Sequence, residues 1–301
     1  MNSPLSSPDR RTFLKNSLQI AGGAALLGLP VFGHAETITT STYTVEGIIN
    51  IILKEVKIDA IPNTIDTLKY GKADTVVTGI ISTMFPTVAI IEQAVKLKAN
   101  LIIVHEPTFY SGLDRTEKLK DNDVMKKKKA LLDEHGIVIW RFHDYSHMMK
   151  PDLILEGFNK KMGWKNGTET DPVIHIPATD LRTLVQQLKK KLSISHVRVM
   201  GDLSQPCRNI ALLPGAWGVD KHVEYVEKYK PDVILVGEQV EWETTEYFRD
   251  GRHMGLQTSM IILGHAVSEE PGMDLFAPWL RPKVPGITVT HIATGDPYTW
   301  L

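Results

Sequence analysis

The sequence has little cysteine, no excess of charge of one sign and no glycine-rich loop of the nucleotide-binding kinds. Its 301 residues include a single cysteine, Cys207, which excludes an internal disulfide and a cysteine-rich metal site. The formal net charge is −1, so we expect no nucleic-acid partner. With 43% hydrophobic and 23% charged residues, the chain has the composition of a globular protein.

Long hydrophobic runs are also absent, apart from one mildly apolar stretch at residues 18–32. Arg10 and Arg11 precede this stretch and are followed by a Phe-Leu-Lys segment. Small residues stand at positions −3 and −1 of a predicted cleavage site after Ala35. This combination resembles a bacterial twin-arginine signal, so we predict that residues 1–35 are a signal peptide.

The signal predicts a periplasmic protein that is exported by the twin-arginine route and has no stable membrane association after cleavage. The alternative is an uncleaved membrane anchor, but the apolar stretch is shorter than the roughly 20 residues that a span requires and is diluted by glycine. The twin-arginine route carries folded proteins, often with a cofactor already loaded. The signal is therefore a first indication of a metal or cofactor.

Beyond residue 44 the sequence alternates between strand and helix patterns. Apolar runs such as "DTVVTGII", "NLIIVHEP" and "IVIWRFHD" predict strands, and amphipathic segments such as "TVAIIEQAVKLKA" predict the helices between them. Because the runs lack polar alternation, both faces of each strand are expected to be covered. We predict an α/β fold of two lobes, residues 36–163 and 164–301, with mixed or parallel sheets covered by helices.

Ionisable side chains follow three of the predicted strands. Ligands of open α/β sheets bind beyond the carboxyl ends of the strands, so a metal site is predicted in the cleft between the lobes. The three groups are His105 with Glu106, then His143, Asp144 and His147, and finally His265 with Glu269. Glu238 ends a further strand and is interpreted either as a group that orients a ligand or as a helix-start carboxylate.

Each group taken singly has a simpler interpretation, as a satisfied polar histidine or a helix cap. Three groups at equivalent positions favour a metal centre. Imidazole and carboxylate ligands without thiolate suit Zn, Mn, Fe or Ni, and they do not single out one of these metals. Since a carboxylate can bridge two ions, we expect one or two divalent ions per subunit. Ser146 and Ser268 lie near histidines but lack the nucleophile-elbow pattern.

The order of these features resembles the family of NGG-one interacting factor three, whose members are also described as GTP cyclohydrolase I type 2. The segment "TVAIIEQAVKLKANLIIVHEPTFYSG" follows the family's first motif closely. "FHDYSH" matches the middle motif loosely, and "GHAVSE" matches the last motif. The resemblance covers most of residues 45–298.

The resemblance implies a dinuclear metal centre, a hexamer of identical subunits, and His105, His265 and Glu269 as metal ligands. Glu106 stands where the family has a second histidine, and we carry it over as a ligand. His147 aligns with a ligand aspartate of the family and is also carried over, with Asp144 as the alternative at this position.

The predicted function is that of a metal-dependent hydrolase. A cation would lower the pKa of an attacking water, and Glu106 or Glu238 would move a proton. GTP cyclohydrolase type 2-like activity is one form of this prediction, and the sequence does not specify the small-molecule substrate. The alternatives are a non-catalytic metal-binding or interaction protein, and a descendant that no longer holds metal.

Overall fold

The computed structural model describes residues 42–165, 167–168 and 170–301, which belong to one compact unit. The predicted signal peptide, residues 1–35, lies outside the described residues. No helix in the described part of the chain is long and apolar enough to cross a membrane.

Strands and helices alternate along most of the described chain. The strands are β1 (Leu68–Tyr70), β2 (Ile80–Thr83), β3 (Leu101–Val104), β4 (Val138–Arg141), β5 (Val173–Asp180), β6 (Arg198–Met200), β7 (Pro206–Leu213), β8 (Val233–Val236), β9 (Ser259–Ile262) and β10 (Val289–His291). The α-helices are α1 (Val45–Val56), α2 (Val88–Lys96), α3 (Asp123–Glu134), α4 (Asp144–Met148), α5 (Leu153–Met162), α6 (Leu181–Leu192), α7 (Val219–Tyr229), α8 (Glu246–His253) and α9 (His265–Leu280).

Side chains set where several helices begin. The Thr44 hydroxyl accepts a hydrogen bond from the Gly47 N–H at the start of α1, and Asp180 accepts one from the Thr183 N–H at the start of α6. These groups satisfy donors that the first helical turn leaves unpaired. The helix starts are therefore specified locally by the sequence.

The first sheet has the strand order β1-β4-β3-β2-β10. β1 runs antiparallel to β4, and the other neighbouring strands are parallel. Every residue of β2, β3 and β4 is buried. Burial on both faces explains why these strands lack polar alternation.

The second sheet has the order β5-β7-β8-β9-β6. Its three central strands are parallel, and each edge strand is antiparallel to its neighbour. β8 and β9 are buried throughout. The predicted α/β class, with mixed sheets covered by helices, is confirmed.

The chain returns to the first sheet at its end. The sheets divide near the predicted boundary at residues 163 and 164, except that β10 pairs with β2 and the buried face of α9 contributes Met273 and Phe276 to the core of the first sheet. The division into lobes at residues 36–163 and 164–301 stays a prediction. The return nevertheless brings α9 beside both sheets, which matters for the site.

Candidate metal centre

Three histidines of the first half form a compact group at the carboxyl ends of β3 and β4. His105 directly follows β3 and is fully buried, His143 precedes α4, and His147 lies in the last turn of α4. The ring centroid of His105 lies 4.6 Å from that of His143 and 5.0 Å from that of His147. The centroids of His143 and His147 are 4.8 Å apart. Two parallel neighbouring strands bring these rings together because both strands end at the same sheet edge.

Every histidine of the cluster, including His265 of α9, has its Nδ1 beside a backbone or carboxylate oxygen. The Nδ1 contacts are Phe142 O at 3.2 Å for His105, Asp144 Oδ1 at 3.0 Å for His143, Asp152 Oδ2 at 3.0 Å for His147, and Glu238 Oε2 at 3.4 Å for His265. Such contacts fix the ring orientation of metal-binding histidines and leave Nε2 as the ligand atom. The arrangement is that of a prepared set of nitrogen donors.

Two buried glutamates face these nitrogens. Glu106 Oε1 lies 3.2 Å from His265 Nε2 and 3.7 Å from His143 Nε2. Glu269 Oε2 lies 3.0 Å from His265 Nε2 and 3.6 Å from His105 Nε2. Glu269 is one helical turn after His265 in α9, which is why both side chains reach the same point.

The other oxygen of Glu106 is held by Arg141, the last residue of β4. The Arg141 Nη2 atom lies 3.1 Å from Glu106 Oε2, and its Nε donates to the backbone oxygen of His105 at 3.0 Å. Its Nη1 atom lies 3.1 Å from Asp114 Oδ2, which also contacts Lys69 Nζ at 3.0 Å. A buried guanidinium therefore neutralises Glu106 and braces the tip of β3.

Asp66 holds the segment that carries His143. Its carboxylate accepts hydrogen bonds from the backbone N–H groups of His143 at 2.7 Å, Asp144 at 3.0 Å and Tyr145 at 2.9 Å. Burial raises the pKa of Asp66, and these three donors partly oppose the rise. Asp66 lies on the loop before β1 and acts as an anchor for the start of α4.

Burial and neighbouring charges affect the pKa values of three cluster histidines differently. Burial lowers the pKa of His105 well below its usual value, and His147 and His143 add to this effect, so His105 is neutral as a metal ligand must be. Burial also opposes the charged form of His265, but the nearby carboxylates of Glu106, Glu238 and Glu269 outweigh it and raise the pKa of His265. For His147, burial is likewise outweighed by the hydrogen bond to Asp152, and the pKa is raised.

The donor set fits a divalent cation. Among the described residues, His105 Nε2 and Glu269 Oε2 are both buried without a hydrogen bond of acceptable geometry. Such groups are costly unless something compensates them. Within the described chain, two groups offer ligand atoms close enough to share an ion: His105, His143 and His147, and His105, Glu106 and Glu269. Nitrogen and oxygen donors of these kinds suit several first-row metals.

The cluster opens onto a cleft of about 1460 Å³. Glu106, His265 and Glu238 line one part of it, and Glu238 exposes 54% of its side chain. Residues 294–300, after β10, also line the cleft, and the Trp300 ring stacks on His196 with centroids 4.9 Å apart. The cleft is large enough for a small organic substrate.

All five predicted ligands, His105, Glu106, His147, His265 and Glu269, lie in this cluster, and Glu238 lies at its edge beside His265. His143, which the sequence placed near the site without a ligand role, is in the three-histidine group. The Asp144 carboxylate contacts His143 Nδ1 through Oδ1, and its Oδ2 accepts from the Thr64 hydroxyl at 2.8 Å and the Ile65 N–H at 3.0 Å. His147, and not Asp144, is the residue that this structure presents to His105.

Comparison with known proteins agrees with the motif order. Residues 43–297 match the sequence model of the family described as Duf34/NIF3 (NGG1p interacting factor 3). The chain belongs to the DUF34/NIF3 family. This confirms the predicted resemblance to NGG-one interacting factor three.

Three individual proteins similar to this chain share a quarter or less of the aligned residues with it. A protein of Clostridium perfringens (strain 13 / Type A) described as a GTP cyclohydrolase 1 type 2 homolog is 25% identical over 216 residues, covering 68% of this chain and 78% of that protein. Staphylococcus aureus protein SA1388 has 17% identity and a TM-score of 0.69, and a Bacillus cereus protein related to NIF3 has 14% and 0.68. Each structure match covers 86% of this chain and 99% of the other, and at this identity it shows the fold alone.

Proposed function

We propose that this chain is a divalent-metal-dependent hydrolase. The observation that carries the proposal is the set of four histidines whose Nδ1 atoms all face oxygen atoms, and whose cluster contains two buried glutamates and borders a large cleft. When bound, a divalent cation would supply Lewis acidity, polarising the bond to be cleaved and lowering the pKa of water.

The side chains provide a path for a proton between the cleft and the cluster. Glu238 is half-exposed in the cleft, and its Oε2 faces His265 Nδ1 at 3.4 Å. On the other side of the ring, His265 Nε2 faces Glu106 Oε1 at 3.2 Å. Glu238, His265 and Glu106 can thus accept a proton from a substrate or return it to a leaving group.

Activity of the GTP cyclohydrolase type 2 kind is the finer form of the proposal. The name of the Clostridium perfringens relative and the shared motifs support it, although fold and family do not determine a substrate. Assembly as a homohexamer and export to the periplasm by the twin-arginine route belong to the same proposal. They are supported by the family resemblance and by the arginine pair of the sequence.

A metal-binding protein without turnover is the second candidate. The ion pair between Arg141 and Glu106 favours it, because the guanidinium holds Glu106 Oε2 at 3.1 Å and leaves only Oε1 to take part in proton transfer. This candidate predicts bound metal with no hydrolysis of any substrate tested.

Metal content and a hydrolysis panel of GTP, phosphoesters and cyclic amides test both candidates. We expect metal-dependent hydrolysis of at least one compound. Glu106→Gln and Glu238→Gln should reduce kcat by about 10²-fold or more, the usual contribution of a positioned acid or base. His175→Ala, which changes an exposed histidine paired with Asp171, is the matched control and should keep full activity. Bound metal with no turnover across the panel would favour the second candidate.

A further inference from the structure

The two possible ligand groups share one atom. His105 belongs to both groups, and its Nδ1 faces the backbone oxygen of Phe142, which leaves only Nε2 to bind an ion. An imidazole nitrogen has a single lone pair and therefore binds one cation. The group of three histidines and the group of His105, Glu106 and Glu269 cannot both be filled through His105 at the same time.

Arg141 already places a positive charge at Glu106. Its side chain is only 3% exposed, and its Nη2 lies 3.1 Å from Glu106 Oε2. A guanidinium stays protonated at any pH at which the protein is folded. A second divalent cation bound by Glu106 would lie beside this charge in a site with little water to screen it.

The charges near the open nitrogens lead to the same conclusion. The carboxylates that face the open Nε2 atoms are Glu106 and Glu269, and the facing fixed cation is Arg141. The carboxylates of Asp144, Asp152 and Glu238 lie on the Nδ1 side of the rings. The nearby pair of Asp114 and Lys69 cancels internally. Beside the open nitrogens one divalent cation turns a net charge of −1 into +1, and a second would place two more positive charges next to Arg141 at a largely buried site.

We infer that each subunit holds one divalent cation, bound by His105, His143, His147 and Glu269, and that Arg141 supplies at Glu106 the positive charge that a second cation would bring. The inference rests on the proposed metal dependence. It assigns Glu106 to Arg141 and His265, as a group that handles protons beside the ion. Arg141 is a positioning residue, since it touches Glu106 and the backbone of His105.

The first test is the number of ions per subunit. The purified chain is stripped with a chelator, saturated with Mn²⁺ or Zn²⁺ and desalted, and metal is measured by plasma mass spectrometry. We expect one ion per subunit and, with Mn²⁺, the electron paramagnetic resonance spectrum of an isolated ion. Two ions per subunit, the spectrum of a coupled Mn²⁺ pair, or no bound ion would overturn the inference.

Variants test the ligand assignment. Glu106→Gln should keep one ion with its affinity changed less than about threefold, whereas Glu269→Gln should weaken binding by at least about tenfold. Loss of the ion from folded Glu106→Gln would contradict the assignment. Arg141→Gln should admit a second ion, and if this variant does not fold, the stoichiometry of the unmodified chain still decides. A protein with one ion and no hydrolysis would refute the proposed function and leave this inference standing.

Discussion

The two sheets approach the cluster with different kinds of strand end. In the first sheet, β3 leads into His105 and Glu106, and β4 leads into the segment with His143 and His147. In the second sheet, β7, β8 and β9 lead toward glycines at positions 215, 237 and 264. The first sheet therefore contributes metal-binding side chains. The glycines after the strands of the second sheet leave room for the side chains of α9, His265 and Glu269.

The glycine at the end of β7 shows what this space is for. A Cβ atom on Gly215 would lie 2.2 Å from Glu269 Oε1, and the residue has a φ of +70° that side-chain-bearing residues rarely adopt. The Gly215 N–H also donates to the Ser268 hydroxyl at 3.0 Å, next to Glu269 in the chain. The position of Glu269 thus depends on the absence of a side chain 54 residues earlier.

Each half of the chain also contains a fully buried histidine whose Nε2 has no hydrogen-bond partner among the described residues, His105 and His222. His105 faces Glu269 and two other imidazole rings, whereas His222 contacts the Thr244 hydroxyl through Nδ1. Burial alone lowers the pKa of His222 to about 4. An orphaned nitrogen indicates a metal site only where further donors face it.

The largest effect is expected from His105→Ala. Because His105 is the donor common to both ligand groups, bound metal should fall to near zero after desalting. The measurement is metal per subunit by plasma mass spectrometry, with circular dichroism to confirm folding. The same substitution at the exposed His175 should leave metal content unchanged. A folded His105→Ala protein with its full metal content would remove His105 from the site.

Gly215→Ala tests whether the second sheet provides space. The new methyl group must displace Glu269, so we expect metal affinity to fall by about tenfold to a hundredfold while the three histidines of the first half still bind. The measurement is titration of the stripped protein with Zn²⁺.

Gly218→Ala is the matched control for Gly215→Ala. Its φ of +79° and ψ of 165° lie in a region essentially restricted to glycine, which imposes a backbone strain of about 1–3 kcal/mol on alanine. Apart from its chain neighbours, no atom of the described chain lies within 4 Å of the added Cβ. Equal losses of affinity in the two variants would show that strain, and not contact with Glu269, is responsible.

Lowering the pH should reduce the stability of the metal-free protein because His222 is buried in its neutral form. Its pKa is about 4 in the folded chain and 6.5 when exposed, so the unfolded state binds more protons between these values. The stability associated with neutral His222 is complete above pH 6.5 and is lost as the pH falls toward 4, by on the order of 3 kcal/mol. Urea unfolding of stripped protein at several pH values measures this loss. His222→Gln should lose less stability over the same range, and parallel curves would contradict the prediction.

The smallest effect is expected at Cys207. This thiol is buried in β7, and burial raises its pKa to about 11, so almost no thiolate is present at neutral pH. The folded chain should react slowly with a thiol reagent and the denatured chain rapidly. Cys207→Ala should retain its metal. Rapid modification of the folded protein, with loss of metal, would place Cys207 nearer to the site than the structure does.

The sequence predicted the fold class because its signals are local. Apolar runs gave the strands, and the side chains immediately after them, such as His105 and Glu106, marked the edge where the parallel strands end. Glu269 could be predicted for the same reason, since one helical turn separates it from His265. These residues are recognised without knowing which distant segments meet.

Asp66, Arg141 and Gly215 could not be found in this way. Asp66 lies 77 residues before the segment that it anchors, Arg141 reaches Glu106 across 35 residues, and Gly215 matters only because Glu269 comes to lie against it. None belongs to a motif or has a distinctive spacing. Their roles depend on the order of the strands in each sheet and on which distant segments pack together. A local sequence pattern does not encode either.

The pairing of β10 with β2 has a consequence for how the protein is made. Ile80 of β2 pairs with Val289 of β10. More than 200 residues are therefore synthesised after β2 before the last strand of the first sheet exists. Until residues 289–291 leave the ribosome, the backbone of β2 presents an unpaired edge to other chains. Nascent or truncated chains without residues 289–291 should therefore need protection from aggregation, and the edge is closed only when β10 pairs with β2.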